Sequence, residues 1–189
     1  MRRIDALRAI DAVFAHDPLV VTLGATSREL ASLGKRDSHL YLLDSMGLAP
    51  AVGAGLALAG RGGPVAAVEG DGSLLMGLSI LPTLAYLAPP RFTLVVLDNH
   101  QHASAAGRPS QAERIDLAAL CRGAGLATRQ VADAVALEEA LHEARAADGT
   151  SVVLGAIEPG NAPGTPFLLE DPVAIATRFT TFLNNEGER

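Results

Sequence analysis

Residues 65–73 read Val65-Ala66-Ala67-Val68-Glu69-Gly70-Asp71-Gly72-Ser73, and residues 92–99 read Phe92-Thr93-Leu94-Val95-Val96-Leu97-Asp98-Asn99. Each is a short apolar run that stops at a polar loop, the pattern of a strand buried on both faces. Between Gly72 and Asp98 there is room for one helix, predicted over 73–87, one strand, and little else. A strand, a helix and a second strand in this order give a parallel pair with a crossover. If the two strands are neighbours, Asp71 and Asn99 lie side by side at their carboxyl ends, where ligands bind in such sheets.

The same alternation extends in both directions. Ile4, Leu7, Ile10, Val13 and Phe14 recur at helical spacing and predict a helix over 3–15. A strand over 19–23 follows. Thr26 and Glu29 have the spacing of a capping box that opens the next helix. A strand over 40–43 leads to a helix of small residues over 46–59. Beyond the polar loop 98–114 the chain reads helix 117–123, strand 128–131, helix 137–146 and strand 151–157. Asp171-Pro172 then opens a closing helix, with Pro at its first position. The expected fold is therefore α/β, a doubly wound parallel sheet with helices on both faces, forming one domain over 1–189.

Composition narrows the function. The 189 residues carry a net charge of −6 and no basic cluster, which argues against nucleic acid as a partner. Hydrophobic residues make up 49% of the chain, enough for a large core. The lone Cys121 excludes an internal disulfide and suits a reducing compartment. The apolar run over 46–59 is too short to span a bilayer, and no apolar run follows Arg2 and Arg3 as a signal peptide requires. The expectation is a cytoplasmic protein with no membrane partner. His16, His39 and His142 are expected at the surface or at helix ends, and Cys121 in the core.

The chemistry concentrates in two loops. Gly70 and Gly72 permit unusual backbone angles and close approach of a ligand to the main chain. Ser73 begins a helix whose free N–H groups suit a phosphate. Asp71 places a hard oxygen donor beside that phosphate site, as magnesium prefers. Alone, Gly-Asp-Gly is also an ordinary turn. Asn99, set one helix and one strand later, adds an amide oxygen facing the same cation. Gly53-Ala54-Gly55 hints at a dinucleotide loop, but Leu58 stands at the third glycine position and no strand leads into it, so helix packing is the better reading. His100 and His102 lack the Cys or carboxylate partners of a transition-metal site and are expected to face solvent or substrate.

These two loops resemble the thiamine-diphosphate signature, in which Gly-Asp-Gly is followed by Asn-Asn after about one helix and one strand. Asp98 stands where the first Asn belongs, and Asn99 holds the second. The resemblance implies magnesium held by Asp71, Asn99 and the backbone carbonyl of Gln101. Thr26-Ser27-Arg28-Glu29-Leu30, Asp44-Ser45-Met46-Gly47-Leu48-Ala49, the Gly-Asp-Gly loop and Leu97-Asp98-Asn99 occur in the order found in sulfopyruvate decarboxylase beta subunits, and phosphonopyruvate decarboxylases carry a similar set. By that resemblance Met46 wedges beneath the cofactor, Asp44 offers a backbone carbonyl to the aminopyrimidine, and Ser45, Gly47, Gly70, Gly72 and Ser73 complete the cofactor-binding set. Those enzymes usually have Gly where Asp44 stands, and Tyr-Gly-Ser-Thr-Gly after the magnesium Asn. Here that stretch is His102-Ala103-Ser104-Ala105-Ala106-Gly107-Arg108, so the substrate side has changed more than the cofactor side. His100, His102, Ser104 and Arg108 are donors for an anionic substrate, with His102 and Arg108 the main candidates.

The resemblance also implies a missing half. The carboxylate that starts proton transfer in such enzymes is a Glu from a pyrimidine-binding domain, given across a subunit interface. The expected partner is an alpha-type subunit carrying that domain, in a hetero-oligomer with at least two copies. The expected substrate is a small anionic 2-oxo acid. Two other readings stay open at this point, a carboligase or oxidoreductase half on the same frame, and a non-catalytic subunit that only binds the cofactor.

Overall fold

Six parallel strands form the central sheet of the computed structural model, which describes residues 1–60 and 63–186 apart from the side chains of Ser104 and Glu186. They are β1 (Leu19–Val21), β2 (His39–Tyr41), β3 (Val65–Gly70), β4 (Phe92–Asp98), β7 (Ala127–Val131) and β8 (Thr150–Ala156), in the order β2-β1-β3-β4-β8-β7. A short antiparallel pair, β5 (Gln101–His102) and β6 (Arg108–Pro109), lies within the loop after β4. The helices are α1 (Arg3–Val13), α2 (Ala25–Leu33), α3 (Ala49–Leu58), α4 (Asp71–Met76), α5 (Ile80–Leu87), α6 (Leu117–Gly123), α7 (Ala134–Ala146) and α8 (Pro172–Glu186).

The strands lack polar alternation because both sheet faces are covered. In β3, Ala66 and Val68 join α1, α2, α7 and α8 in one core, while Val65 and Ala67 join α3, α4, α5 and α6 in the other. β4 divides in the same way, with Val95 and Leu97 on the first face and Phe92, Leu94 and Val96 on the second. At about 25 cal/mol per Å² of apolar surface, such two-sided burial is the main stabilising term. Gly53 of α3 fits this packing, since a Cβ there would lie 2.8 Å from the Phe92 ring and 3.0 Å from Ala67 Cβ. The Gly53-Ala54-Gly55 run is thus helix packing on the sheet. Cys121 is wholly buried, and burial pushes its thiol up to about 11.

Three local expectations are corrected. Thr26 and Glu29 do not form a capping box. Helix α2 starts two residues early, with Gly24 at φ 78° before it, so both residues lie inside the helix. The helix predicted over 73–87 is two helices, broken at Gly77, and each is shorter than expected. His39 is not at the surface. It sits on the edge strand β2, which α8 covers, and is fully buried with Nδ1 3.1 Å from the Tyr41 hydroxyl. Burial lowers its pKa from 6.5 to about 4, with Asp11 opposing and Arg36 and Arg178 reinforcing the shift.

That burial makes a pH prediction. Below pH 6.5 the unfolded chain takes up a proton that the folded chain refuses until about pH 4. His39 therefore contributes stability that is complete above pH 6.5 and is lost as pH falls toward 4, about 3 kcal/mol over the window. Denaturant unfolding between pH 7 and pH 4 should show this loss. His39→Gln should flatten the profile, and parallel profiles for the two proteins would remove His39 as its source.

Among the described residues, no helix is long and apolar enough to cross a membrane.

Candidate active site

Chain topology places a cleft between β1 and β3. From β1 the chain turns through α2 to β2 on one side, and from β3 through α4 and α5 to β4 on the other. Such a reversal opens a crevice at the carboxyl ends of the strands. The cleft is a concave pocket that opens to solvent. Residues 22–26 after β1, Gly70–Ser73 after β3 and Asn99 after β4 line it.

Strands β3 and β4 pair with Gly70 opposite Leu97, which brings Asp71 and Asn99 to the same end of neighbouring strands. Both side chains are buried, at 2% and 5% exposure, yet both border the cleft. Asp71 Oδ2 accepts a hydrogen bond from the Ser110 hydroxyl. Asn99 Oδ1 accepts one from the Gln101 amide at 3.1 Å, which folds Gln101 back against the same cleft. Asp98, next in sequence to Asn99, does not line the cleft; its Oδ1 lies 3.0 Å from both the backbone nitrogen and Nδ1 of His100. Burial pushes the Asp98 carboxyl up. The His100 amide partly reverses this, and the negative charge of Asp71 adds to it.

Neither glycine of Gly70-Asp71-Gly72 uses the left-handed backbone angles open to it. Gly72 matters for space instead, because a Cβ on it would run into the His102 ring. His102 therefore lies over the loop and lines the cleft beside Ala103. Helix α4 begins at Asp71, two residues before Ser73. The Ser73 hydroxyl is spent within the protein, accepting from the Gly47 amide at 2.9 Å and lying 3.5 Å from the Thr22 hydroxyl. Glu69, fully buried beneath this group, accepts from the Gly70 amide at 3.1 Å, and burial pushes its carboxyl up.

Met46 reaches the cleft from a loop rather than from a helix, since α3 starts only at Ala49. Two left-handed residues flank it, Ser45 at φ 70° and Gly47 at φ 82°. A Cβ on Gly47 would lie 2.8 Å from Gly77 N, and one on Gly77 would lie 2.6 Å from Gly47 O. The break between α4 and α5 thus exists where two backbones touch, and that contact fixes the Met46 loop. Asp44 and Ser45 are exposed, with the Ser45 amide donating to Asp44 Oδ1 at 2.8 Å.

Of the sequence-predicted site residues, Met46, Gly70, Asp71, Gly72, Ser73, Asn99, Gln101 and His102 line one cleft; Gly47 supports it through its bond to Ser73, while Asp44 and Ser45 are exposed and do not line it. Arg108 lies exposed on β6, opposite His102 in register, and does not line the cleft. The Ser104 side chain lies outside the described part of the structure. Several cleft-lining residues escaped the sequence reading, Arg3 and Thr22 among them, as did Ser110, which does not line the cleft but holds Asp71. Ser110 caps a short turn over Gln111–Glu113, its Oγ accepting from the Ala112 amide, and the Pro109-Ser110 step was the available signal. Arg3, on the first helix, gave none.

Residues 24–154 match the family described as thiamine pyrophosphate enzyme, C-terminal TPP binding domain. The chain belongs to this family. It is 36% identical to the sulfopyruvate decarboxylase subunit beta of Methanothermobacter thermautotrophicus over 95% of its own length and 94% of that protein. It is 39% identical to a phosphonopyruvate decarboxylase of Streptomyces viridochromogenes over 96% of its length, but spans only 46% of that longer protein. In fold it is similar to benzoylformate decarboxylase from Polynucleobacter necessarius, with a TM-score of 0.76 and 20% identity over 86% of this chain and 34% of that one.

Proposed function

We propose that this chain is the beta-type, cofactor-holding subunit of a thiamine-diphosphate-dependent decarboxylase acting on a small 2-oxo acid with a second anionic group. The observation that carries this reading is the pairing of buried Asp71 and Asn99 across β3 and β4 at one cleft. A carboxylate oxygen and an amide oxygen are the hard donors that magnesium takes, and the close backbone turn at Gly70–Ser73 leaves main-chain N–H groups for a diphosphate. The residues therefore fit the group. Asp71, Asn99 and the Gln101 carbonyl would hold the metal, Gly70–Ser73 the diphosphate, and Met46 the face of the ring system. When bound, thiamine diphosphate supplies a carbon nucleophile and an electron sink for the loss of carbon dioxide.

The residues of this chain bind and orient. Ser110 and the Gln101 amide hold the two metal-facing side chains before any ligand arrives. His102 borders the same cleft and is placed to donate to a substrate anion. Arg108 belongs to the adjoining hairpin and would meet substrate only at the junction with a partner subunit. The proton-transfer carboxylate would come from that partner, an alpha-type pyrimidine-domain subunit, in a cytoplasmic hetero-oligomer with at least two copies of each chain. The ordering of substrates, 3-sulfopyruvate first and 3-phosphonopyruvate second, is supported by the nearly full-length match to a beta subunit and the half-length match to the phosphonopyruvate enzyme.

A side-by-side decarboxylation assay of the reconstituted complex tests this. Sulfopyruvate and phosphonopyruvate should exceed pyruvate in kcat/KM by about a hundredfold, the scale of one lost charge-assisted contact. Equal efficiency on pyruvate would contradict anion recognition. Arg108→Ala should raise KM for the preferred substrate, and an unchanged kcat/KM would take Arg108 out of the site.

A further inference from the structure

We propose that Arg3 binds the terminal phosphate of the cofactor's diphosphate, which makes the first helix of the chain part of the cofactor site. The inference rests on the reading of the cleft as a thiamine-diphosphate site. Arg3 is 94% removed from solvent by its 6% exposure, and it borders the cleft together with Thr22, Gly24, Asp71 and Asn99. Among the described residues, no other Lys or Arg lines that cleft. Its Nη1 donates to Glu29 Oε1 at 2.9 Å and to Asn161 Oδ1 at 3.0 Å. Glu29 and Asn161 line a neighbouring cavity that Arg3 also borders, and neither lines the cleft. The Nε and Nη2 donors have no hydrogen-bond partner among the described residues.

Three features point from these unspent donors to an oxyanion. A guanidinium held on one edge by a buried carboxylate presents its remaining N–H groups in a fixed fork, the geometry that pairs with two oxygens of a phosphate. Glu29 is itself only 1% exposed, and its Oε1 also accepts from the Ala162 amide at 2.9 Å, so the fork cannot swing away. Charge balance asks for a cation as well. Magnesium cancels part of the diphosphate's charge, while Asp71 returns negative charge to the same site. A buried ion pair contributes little to stability once its desolvation is counted, so the Arg3–Glu29 pair calls for a use beyond stability.

Binding of thiamine diphosphate and of thiamine monophosphate, each with magnesium, is measured by calorimetry on the full chain. Arg3→Ala would strand the Glu29 charge in the interior, so the variants are Arg3→Lys and the double substitution Arg3→Met with Glu29→Gln. The expected loss of diphosphate affinity is about tenfold for Arg3→Lys and about a hundredfold for the double variant. Monophosphate affinity should stay within about threefold, so that the preference for the diphosphate collapses. Equal losses for both ligands would mean that Arg3 only holds the fold, and would overturn the inference. An unchanged diphosphate affinity, with a raised KM for the anionic 2-oxo acid in the complex, would move Arg3 to the substrate and overturn it too. In both cases wild-type binding leaves the cofactor reading intact. Failure of the wild-type chain to bind thiamine diphosphate would overturn both.

Discussion

Asp71→Ala is expected to abolish magnesium-dependent binding of thiamine diphosphate while leaving the chain folded. Asp71 is buried at the carboxyl end of β3, and among the described residues its side-chain hydrogen-bond partner is the Ser110 hydroxyl. Removing it costs one modest hydrogen bond, about 1 kcal/mol, and spares the two cores. It also removes the one anionic oxygen donor from the proposed metal, so the diphosphate charge is left poorly neutralised and affinity should fall by more than about a thousandfold. Asn99→Ala should act in the same direction, and it also frees the Gln101 amide that Asn99 Oδ1 now holds. Calorimetric titration of each variant, with circular dichroism as the control for folding, gives the answer. Unchanged affinity in both would remove the metal assignment.

The second large effect concerns assembly. The purified chain with cofactor and magnesium should show no decarboxylation above background, and activity should appear on mixing with a pyrimidine-domain subunit. Among the described residues no Glu lines the cleft; Glu69, the nearest in sequence to its Gly-Asp-Gly loop, is fully buried in β3 and accepts from the Gly70 amide. It is poorly placed to exchange protons with a ligand above. A positioned general acid or base is worth about 10²–10⁴-fold, so its absence alone holds the isolated chain near background. Full turnover by a homogeneous preparation of this chain would refute the partner requirement. The open alternative of a non-catalytic binding subunit would instead give binding without turnover in any mixture.

Much of this site was legible because consecutive parallel strands convert sequence order into neighbourhood. Asp71 and Asn99 could be matched in the sequence on the condition that β3 and β4 are neighbours, and their register meets it; connection length alone does not decide this, since β2 and β3 are joined by a similar stretch and have β1 between them. The two-sided burial of Val65–Val68 and Phe92–Leu97 was likewise written in their unbroken apolar runs. What escaped depended on contacts distant in sequence. Arg3, at the start of α1, meets Glu29 in the middle of α2 and Asn161 in the segment after β8, and no local pattern marks such a pair. Ser110 reaches Asp71 only because the loop after β4 folds into a hairpin, where periodicity carries no information. His39 was misjudged because α8, far along the chain, covers an edge strand that would otherwise be exposed. The Thr26–Glu29 spacing suggested a cap, but Glu29 instead serves the buried Arg3, a tertiary contact that overrode a local signal.

The central claim is that the cleft at the carboxyl ends of β1, β3 and β4 binds thiamine diphosphate through a magnesium ion. Calorimetric titration of thiamine diphosphate into the wild-type chain, with magnesium and again after chelation, tests it most directly. The account predicts one saturable site per chain with magnesium and none after chelation. Binding that is indifferent to chelation, or no binding in either condition, would contradict it.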